Sequence, residues 1–142
     1  MADVKTYRAK DVMVIYGAKQ LHGFSEDSIV SIKPRGEGTQ TYVSADGEVA
    51  RSMDPDKTIE ITVTLAHTSE SNDYLSQLYE MDRETGKGML PISIKDLSGR
   101  TLAQASEAWI SNHAEVKRDK NIAEQEWVFN TGKANFSIGG ND

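Results

Sequence analysis

Residues 58–65 read Thr-Ile-Glu-Ile-Thr-Val-Thr-Leu, which is the clearest strand pattern in the sequence. Its apolar side chains fall at every second position, from Ile59 to Leu65, and the positions between them are Thr or Glu. Successive side chains of a β-strand point to opposite sides, so this alternation predicts a strand with one buried and one polar face.

After residues 67–70 the apolar spacing changes from that of a strand to that of a helix. We expect one α-helix at about residues 72–83, with Ser71 placed to cap its first turn and Gly86 placed to end it. The apolar positions of this helix are Tyr74, Leu75, Leu78 and Tyr79.

Three further strands are predicted on the N-terminal side. Residues 12–15 are consecutively apolar, which suits a strand buried on both faces. Residues 20–24 form a short partner strand. Residues 29–33 form a third strand that stops at Pro34, which lacks the N–H needed for a sheet ladder.

A long hairpin at about residues 35–54 differs from the rest of the chain. Two weak strands, residues 39–43 and 49–53, flank the dipeptide Asp46-Gly47, which tolerates the positive φ of a tight turn. The hairpin has too few apolar residues to pack firmly on its own domain. We expect it to protrude and to be ordered by a neighbouring molecule.

The C-terminal half predicts the remaining strands. Residues 90–95 and 101–110 form a hairpin, and residues 113–118 and 124–138 complete the sheet. With about eight short strands and one helix, the chain is expected to be mainly β, an antiparallel β-sandwich or barrel with the helix packed beside it.

At 142 residues the chain is expected to form a single domain. Residues 1–10 are interpreted as an N-terminal arm and residues 139–142 as a loose tail, since neither has apolar anchors. No signal-peptide core and no apolar run long enough to span a bilayer is present in the sequence, so we expect no membrane partner.

The composition argues against several classes of function. The 22 acidic residues outnumber the 16 basic ones, and a net charge of −6 repels nucleic acid. The absence of cysteine excludes disulfides and thiolate metal sites. The three histidines lie on different predicted elements without metal-ligand spacing, so we expect no enzyme, no metal and no cofactor.

Two weaker alternatives concern particular side chains. Trp109 and Trp127 could form a sugar-stacking platform in a carbohydrate-binding sandwich, although aromatic residues of alternating strands are more often core. Asp54 and Asp56 could in principle hold calcium, but they lack the loop of a calcium motif and are better interpreted as solvated turn carboxylates.

Taken in order along the chain, these features resemble the tail-tube proteins of contractile-tailed bacteriophages, whose fold is related to the type VI secretion tube protein. The resemblance covers most of the chain. It is carried by Asp11-Val12, by the turn at residues 44–48, by the strand-to-helix join at residues 59–72, by Leu75-Ser76-Gln77-Leu78-Tyr79, and by Glu126-Trp127-Val128-Phe129.

The resemblance implies a structural subunit of stacked hexameric rings that form the hollow inner tube of a phage tail, within a sheath. DNA would pass through an acidic bore without specific binding, and the protein would reside in the virion tail after assembly in the bacterial host cytoplasm. A tube subunit of a type VI secretion or phage-tail-like particle remains the alternative. By analogy the hairpin would reach the adjacent ring through Arg35, Thr39, Thr41, Tyr42, Val43, Asp46, Val49, Arg51 and Met53.

Overall fold

The computed structural model describes residues 4–26 and 28–140, and within them the chain forms ten β-strands and one α-helix. A short 3-10 helix, Ala9–Asp11, precedes the first strand. The elements are β1 Val12–Tyr16, β2 Lys19–Gln20, β3 Val30–Pro34, β4 Thr39–Val43, β5 Val49–Met53, β6 Ile59–Ala66, α1 Ser71–Thr85, β7 Leu90–Asp96, β8 Leu102–Asn112, β9 Glu124–Thr131 and β10 Ala134–Ser137.

All strands except β4 and β5 belong to one antiparallel sheet in the order β2-β1-β7-β8-β9-β6-β3, with β10 also beside β8. The long strand β8 pairs with β7 along one side and with β9 and then β10 along the other. The sheet folds over on itself, as is seen from the rings of Tyr16 in β1 and Phe129 in β9, which meet edge to face with their centres 4.9 Å apart. The predicted mainly-β antiparallel sandwich or barrel is confirmed.

The core lies between the two halves of this folded sheet. The alternating apolar side chains of β6, from Ile59 to Leu65, are all at most 2% exposed, as their alternation predicts. Trp127 and Phe129 of β9 and Tyr16 of β1 are the largest fully buried side chains. The Tyr16 hydroxyl donates to the carbonyl oxygens of Ala108 at 3.0 Å and Gly88 at 3.2 Å, and its burial raises the pKa of this phenol well above 10.

The helix α1 covers one end of this core. Its buried Leu75 points inward, and the Tyr74 hydroxyl donates to the Tyr16 carbonyl at 2.9 Å. Gly86 follows the helix with φ +70°, the left-handed conformation that ends helices. The predicted helix is confirmed, with one more residue before it and two after.

The predicted capping role of Ser71 is wrong. Its hydroxyl accepts the His22 backbone N–H at 2.9 Å, so it joins the helix to the loop after β2. The side chain that accepts a backbone N–H at the helix start is Ser69, which takes that of Ser71 at 3.2 Å. Sequence position alone did not distinguish these two serines.

Asn72 fixes the first turn of α1 to β9. Its Oδ1 accepts the Trp127 indole N–H and the Gln125 amide N–H, both at 2.9 Å. Its Nδ2 donates to the carbonyls of Ala66 at 3.0 Å and Ser69 at 3.1 Å. One side chain therefore joins the end of β6, the helix and β9.

Several predicted strands near the N-terminus differ in extent. Instead of a strand at residues 20–24, β2 ends at Gln20, and Phe24 forms a bridge with Leu65 of β6. Leu21, directly after β2, is fully buried, so the chain enters the core at this point. In β1 only Val14 and Tyr16 are fully buried, whereas Val12 on the same face and Met13 and Ile15 on the other are partly buried, so the prediction of two buried faces is also wrong.

The C-terminal strands differ for two reasons. Residues 113–118 form no strand, because the His113 ring packs between the rings of Tyr79 and Trp127, at 5.5 and 4.9 Å. The run 124–138 is broken between β9 and β10, where the Gly132 N–H donates to the Glu107 carbonyl. The chain leaves β6 at this break and continues along β8.

Parts of both termini are described. Residues 4–8 form neither helix nor strand, and Met1 to Asp3 lie outside the described residues. At the other end, the Gly140 carbonyl accepts the Arg100 N–H at 3.0 Å, whereas residues 141–142 lie outside the described residues. Over the described ranges, no helix has the length and apolar character required to cross a bilayer.

Candidate functional site: an exposed hairpin and an open groove

The hairpin of β4 and β5 stands apart from the rest of the fold. The two strands pair only with each other, from Thr39 opposite Met53 to Val43 opposite Val49, and all their residues are exposed. The predicted strand bounds and the predicted lack of packing on the domain are both confirmed.

The two sides of this hairpin differ. Because strand side chains alternate, residues 39, 41, 43, 49, 51 and 53 share one side, which we call the hairpin face. On it, Val43, Val49 and Met53 are 60, 71 and 68% exposed, with Arg51 between them. Tyr42, 66% exposed, lies on the opposite side.

The turn of the hairpin is closed by its own polar groups. The Ser44 hydroxyl donates to the Asp46 carboxylate, and the Glu48 N–H donates to the Ser44 hydroxyl at 3.1 Å. The first of these bonds, and then the Glu48 backbone N–H, lower the pKa of Asp46 below its ordinary 3.8. Gly47 supplies φ +92°, which a side chain would oppose.

The base of the hairpin is a hydrogen-bonded clamp. Asp54 accepts the Glu37 N–H at 2.8 Å and the Asp56 N–H at 2.9 Å through its two carboxylate oxygens. Asp56 in turn accepts the Thr58 hydroxyl and N–H, and these bonds lower its pKa below 3.8. The interpretation of both carboxylates as turn residues is confirmed, and Asp54 joins the segment before β4 to the segment after β5.

The predicted contact residues therefore occupy one exposed arm. Asp46 lies in its turn, and Arg35 lies at its base, where its N–H donates to the Thr58 carbonyl at 3.1 Å. The other seven lie on its two strands. Their contacts with a second molecule stay a prediction.

A groove on the main body of the fold has no counterpart in the sequence predictions. It lies between β1 and β3, where the folded sheet does not close, and has a volume of about 590 Å³. We call it the seam groove. Its apolar lining includes Val12, Val30, Ile32, Ile94, Phe136 and Ile138.

Two features of the seam groove bear on binding. Ile138 is 79% exposed, which is unusual for an apolar side chain beside a core. Glu26 and Asp96 also line the groove, so carboxylates border an apolar surface. The sequence does contain a signal for this groove. It is the set of apolar residues in β3 and around β10 for which no covering element was predicted.

The residues considered for chemistry have structural contacts. Within residues 4–26 and 28–140 no three His, Asp or Glu side chains are placed to hold a metal ion. His67 accepts the Ala123 N–H through Nδ1 at 2.9 Å, and His113 lies in the aromatic packing described above.

The two tryptophans do not form a sugar-stacking platform. Trp127 is 1% exposed and faces the core, as aromatic residues of strands commonly do. Trp109 alternates with the buried Ala108 and Ile110, and it lies on the outer side of β8 opposite Asn130. The carbohydrate-binding alternative loses the paired surface that motivated it.

Comparison with known proteins adds two kinds of similarity. Residues 11–139 match the family model described as Bacteriophage PhiTE tail tube protein. The chain is also 40% identical over 123 residues to "Structural protein ORF10" of Pseudomonas phage KPP10, covering 85% of this chain and 71% of that protein.

Two solved structures share the fold at low sequence identity. One is described as an extracellular contractile injection system, PVC sheath-tube complex in the extended state, with TM-score 0.61, 14% identity and coverage of 93% of this chain and 91% of that chain. The other is described as the virion of a native gene transfer agent particle, with TM-score 0.63, 12% identity and coverage of 94% and 100%.

Proposed function

Because the chain belongs to the Bacteriophage PhiTE tail tube protein family, we propose that it forms stacked hexameric rings, the hollow tube through which phage DNA is ejected. Family membership makes it a structural subunit of a phage tail tube. The ring size, the passage of DNA and the contacts between copies are the proposal.

The exposed hairpin is the main support for the proposed assembly. An isolated two-stranded hairpin is marginally stable in water, and soluble monomers seldom expose large apolar side chains together. Here Val43, Val49 and Met53 lie together on the hairpin face, with Tyr42 on its other side. A second copy that covers this arm would remove the apolar surface from water.

The ends of the sheet support ring formation. β3 is an edge strand, and at the opposite end β2 and Leu21 pair with β1 only from Val14 to Tyr16, so the β1 edge is open at Val12 and Met13. Unpaired strand edges attract other strands, and a closed ring of identical subunits can cover each of them. We propose that these edges join neighbours within a ring and that the hairpin joins one ring to the next.

The charge of the chain supports a conduit. A net charge of −6 repels the phosphate backbone, so DNA would slide without sticking. We propose a non-enzymatic protein without cofactor or membrane contact, assembled in the bacterial cytoplasm and located in the virion tail. Its second protein partner would be a tail sheath, as in the sheath-tube complex that shares its fold.

A tube of an injection or secretion particle is the second candidate, and the fold shared with the contractile injection system favours it. The same rings would then carry an effector instead of a genome. Copurification of DNA or of a protein with native particles separates the two.

Negative-stain electron microscopy of the concentrated protein tests the proposal. We expect six-fold rings or stacked tubes. Replacing Val43 and Val49 with Asp should abolish stacking, whereas Val116→Asp, at a valine that is 62% exposed in the loop after β8, should not. A wild-type chain that sediments as a monomer at high concentration, or an equal loss in the Val116→Asp variant, would contradict it.

A further inference from the structure

We propose that the seam groove of one copy receives the hairpin face of another copy. This inference rests on the proposed tube assembly and names the surface that accepts the arm. The occupant is a second copy of this chain, and the groove and the arm are the two halves of a heterologous contact that repeats from subunit to subunit.

The groove is open because, among the residues that the structure describes, only one end of the core is covered. The helix α1 closes the end where β6 finishes, through Leu75 and Tyr74. Beside β3 and β10 no element of the described residues plays this role, so Val30, Ile32 and Phe136 stay partly exposed. Apolar side chains in that state favour a cover that comes from outside.

The hairpin of the same molecule does not cover the groove. The lining residues come from the N-terminal segment, β1, the segment that leads into β3, β3 itself, β7, Thr101 and the C-terminal end, and none comes from residues 35–54. β4 and β5 pair with each other in a separate two-stranded sheet, and the clamp at Asp54 closes its base. The arm is therefore free for a neighbour.

The hairpin face and the seam groove are chemically complementary. Val43, Val49 and Met53 present branched and flexible apolar side chains to an apolar groove, and burial of such area is the main favourable term in association. Between them Arg51 supplies a guanidinium on the same side of the hairpin. Glu26 and Asp96 supply carboxylates at the groove, where an Arg–carboxylate pair would fix the register of docking.

Cysteine cross-linking tests the docking, and the absence of native cysteine makes it specific. Val49→Cys and Ile138→Cys proteins are purified separately, mixed under assembly conditions and oxidised. Both native positions are exposed, so neither change should disturb folding. We expect a disulfide that joins position 49 of one copy to position 138 of another, identified by mass spectrometry of the linked peptides.

Val116→Cys is the matched control for Ile138→Cys, because it places a thiol on an exposed apolar residue of the loop after β8. A link from position 49 to position 116 in place of position 138 would overturn the proposal. So would tubes that form normally, by electron microscopy, without any link between positions 49 and 138. The absence of tubes from wild-type protein would instead refute the proposed function.

A charge exchange gives an independent readout. Arg51→Glu and Glu26→Arg should each raise the protein concentration needed for assembly about fivefold, since reversal of an exposed ion pair replaces attraction with repulsion. The double variant should recover most of this loss. Asp96 is left unchanged, because it accepts the Ser98 N–H in the β7–β8 turn. Additive losses in the double variant would overturn the pairing.

Discussion

Replacement of Asn72 with Ala should destabilise the fold more than any surface change of similar size. The change removes four hydrogen bonds. It leaves the indole N–H of Trp127 and the side-chain amide N–H of Gln125 without an acceptor, and these residues are only 1% and 6% exposed. A buried polar group left unpaired costs about 1–3 kcal/mol. We therefore expect a loss of about 3 kcal/mol in the free energy of unfolding, or about 10 °C in Tm for a chain of this length.

Urea unfolding followed by circular dichroism measures this loss, and tryptophan fluorescence reports on the Trp127 site in the same titration. Asn135→Ala is the matched control, because Asn135 is an exposed asparagine of β10 and its removal should change stability by less than about 0.5 kcal/mol. Both variants are compared at one protein concentration, since association adds to apparent stability. A loss below about 1 kcal/mol for Asn72→Ala would refute the idea that this side chain holds the helix to β9.

Three further changes test other parts of the structure. Tyr16→Phe should lower stability by about 1–2 kcal/mol in urea titrations, because the carbonyl of Ala108 loses a buried donor; an unchanged midpoint would contradict the hydrogen bond. Gly17→Ala should also destabilise, since the residue has φ +66° and a new Cβ would lie 2.8 Å from the Tyr74 hydroxyl; a stabilised variant would contradict that conformation. The lowered pKa of Asp46 means that its carboxylate stabilises the turn above pH 3.8 and that this contribution is lost as the pH falls through the folded pKa; the protection factors of the hairpin amides against exchange should fall there in wild type and not in Asp46→Asn, and equal profiles would contradict it.

Some elements could be predicted because their signals are local. The alternation in β6 reflects burial of one strand face, and the structure buries those positions. The hairpin bounds follow from Asp46-Gly47 and from weak strands on either side, and the observed register agrees. The helix follows from apolar spacing and a terminating Gly86.

The remaining features depend on contacts between distant parts of the chain. His113 leaves the sheet because its ring fits between Tyr79 and Trp127, which come from a helix and from another strand. For the same reason Ser71 does not cap its own helix, because its hydroxyl accepts the backbone N–H of the distant His22. The seam groove brings together residues of β1, β3, β7 and β10, which are far apart in the chain, and no sequence spacing records that arrangement.

In the proposed tube, one docked arm is too weak to hold two subunits together. Val43, Val49 and Met53 are about two-thirds exposed, so burying the rest of each contributes about 1–2 kcal/mol and all three about 3–6 kcal/mol. The loss of free motion on association costs about 4–15 kcal/mol, so these three side chains alone would hold an isolated pair no more tightly than about 30 mM. A subunit inside a stack gives one arm, receives another and has ring neighbours, so its contacts add while the cost of immobilising it arises only once. Assembly should therefore proceed without a stable dimer held by a single arm, and a sedimentation profile dominated by such dimers would be inconsistent with arms of this size.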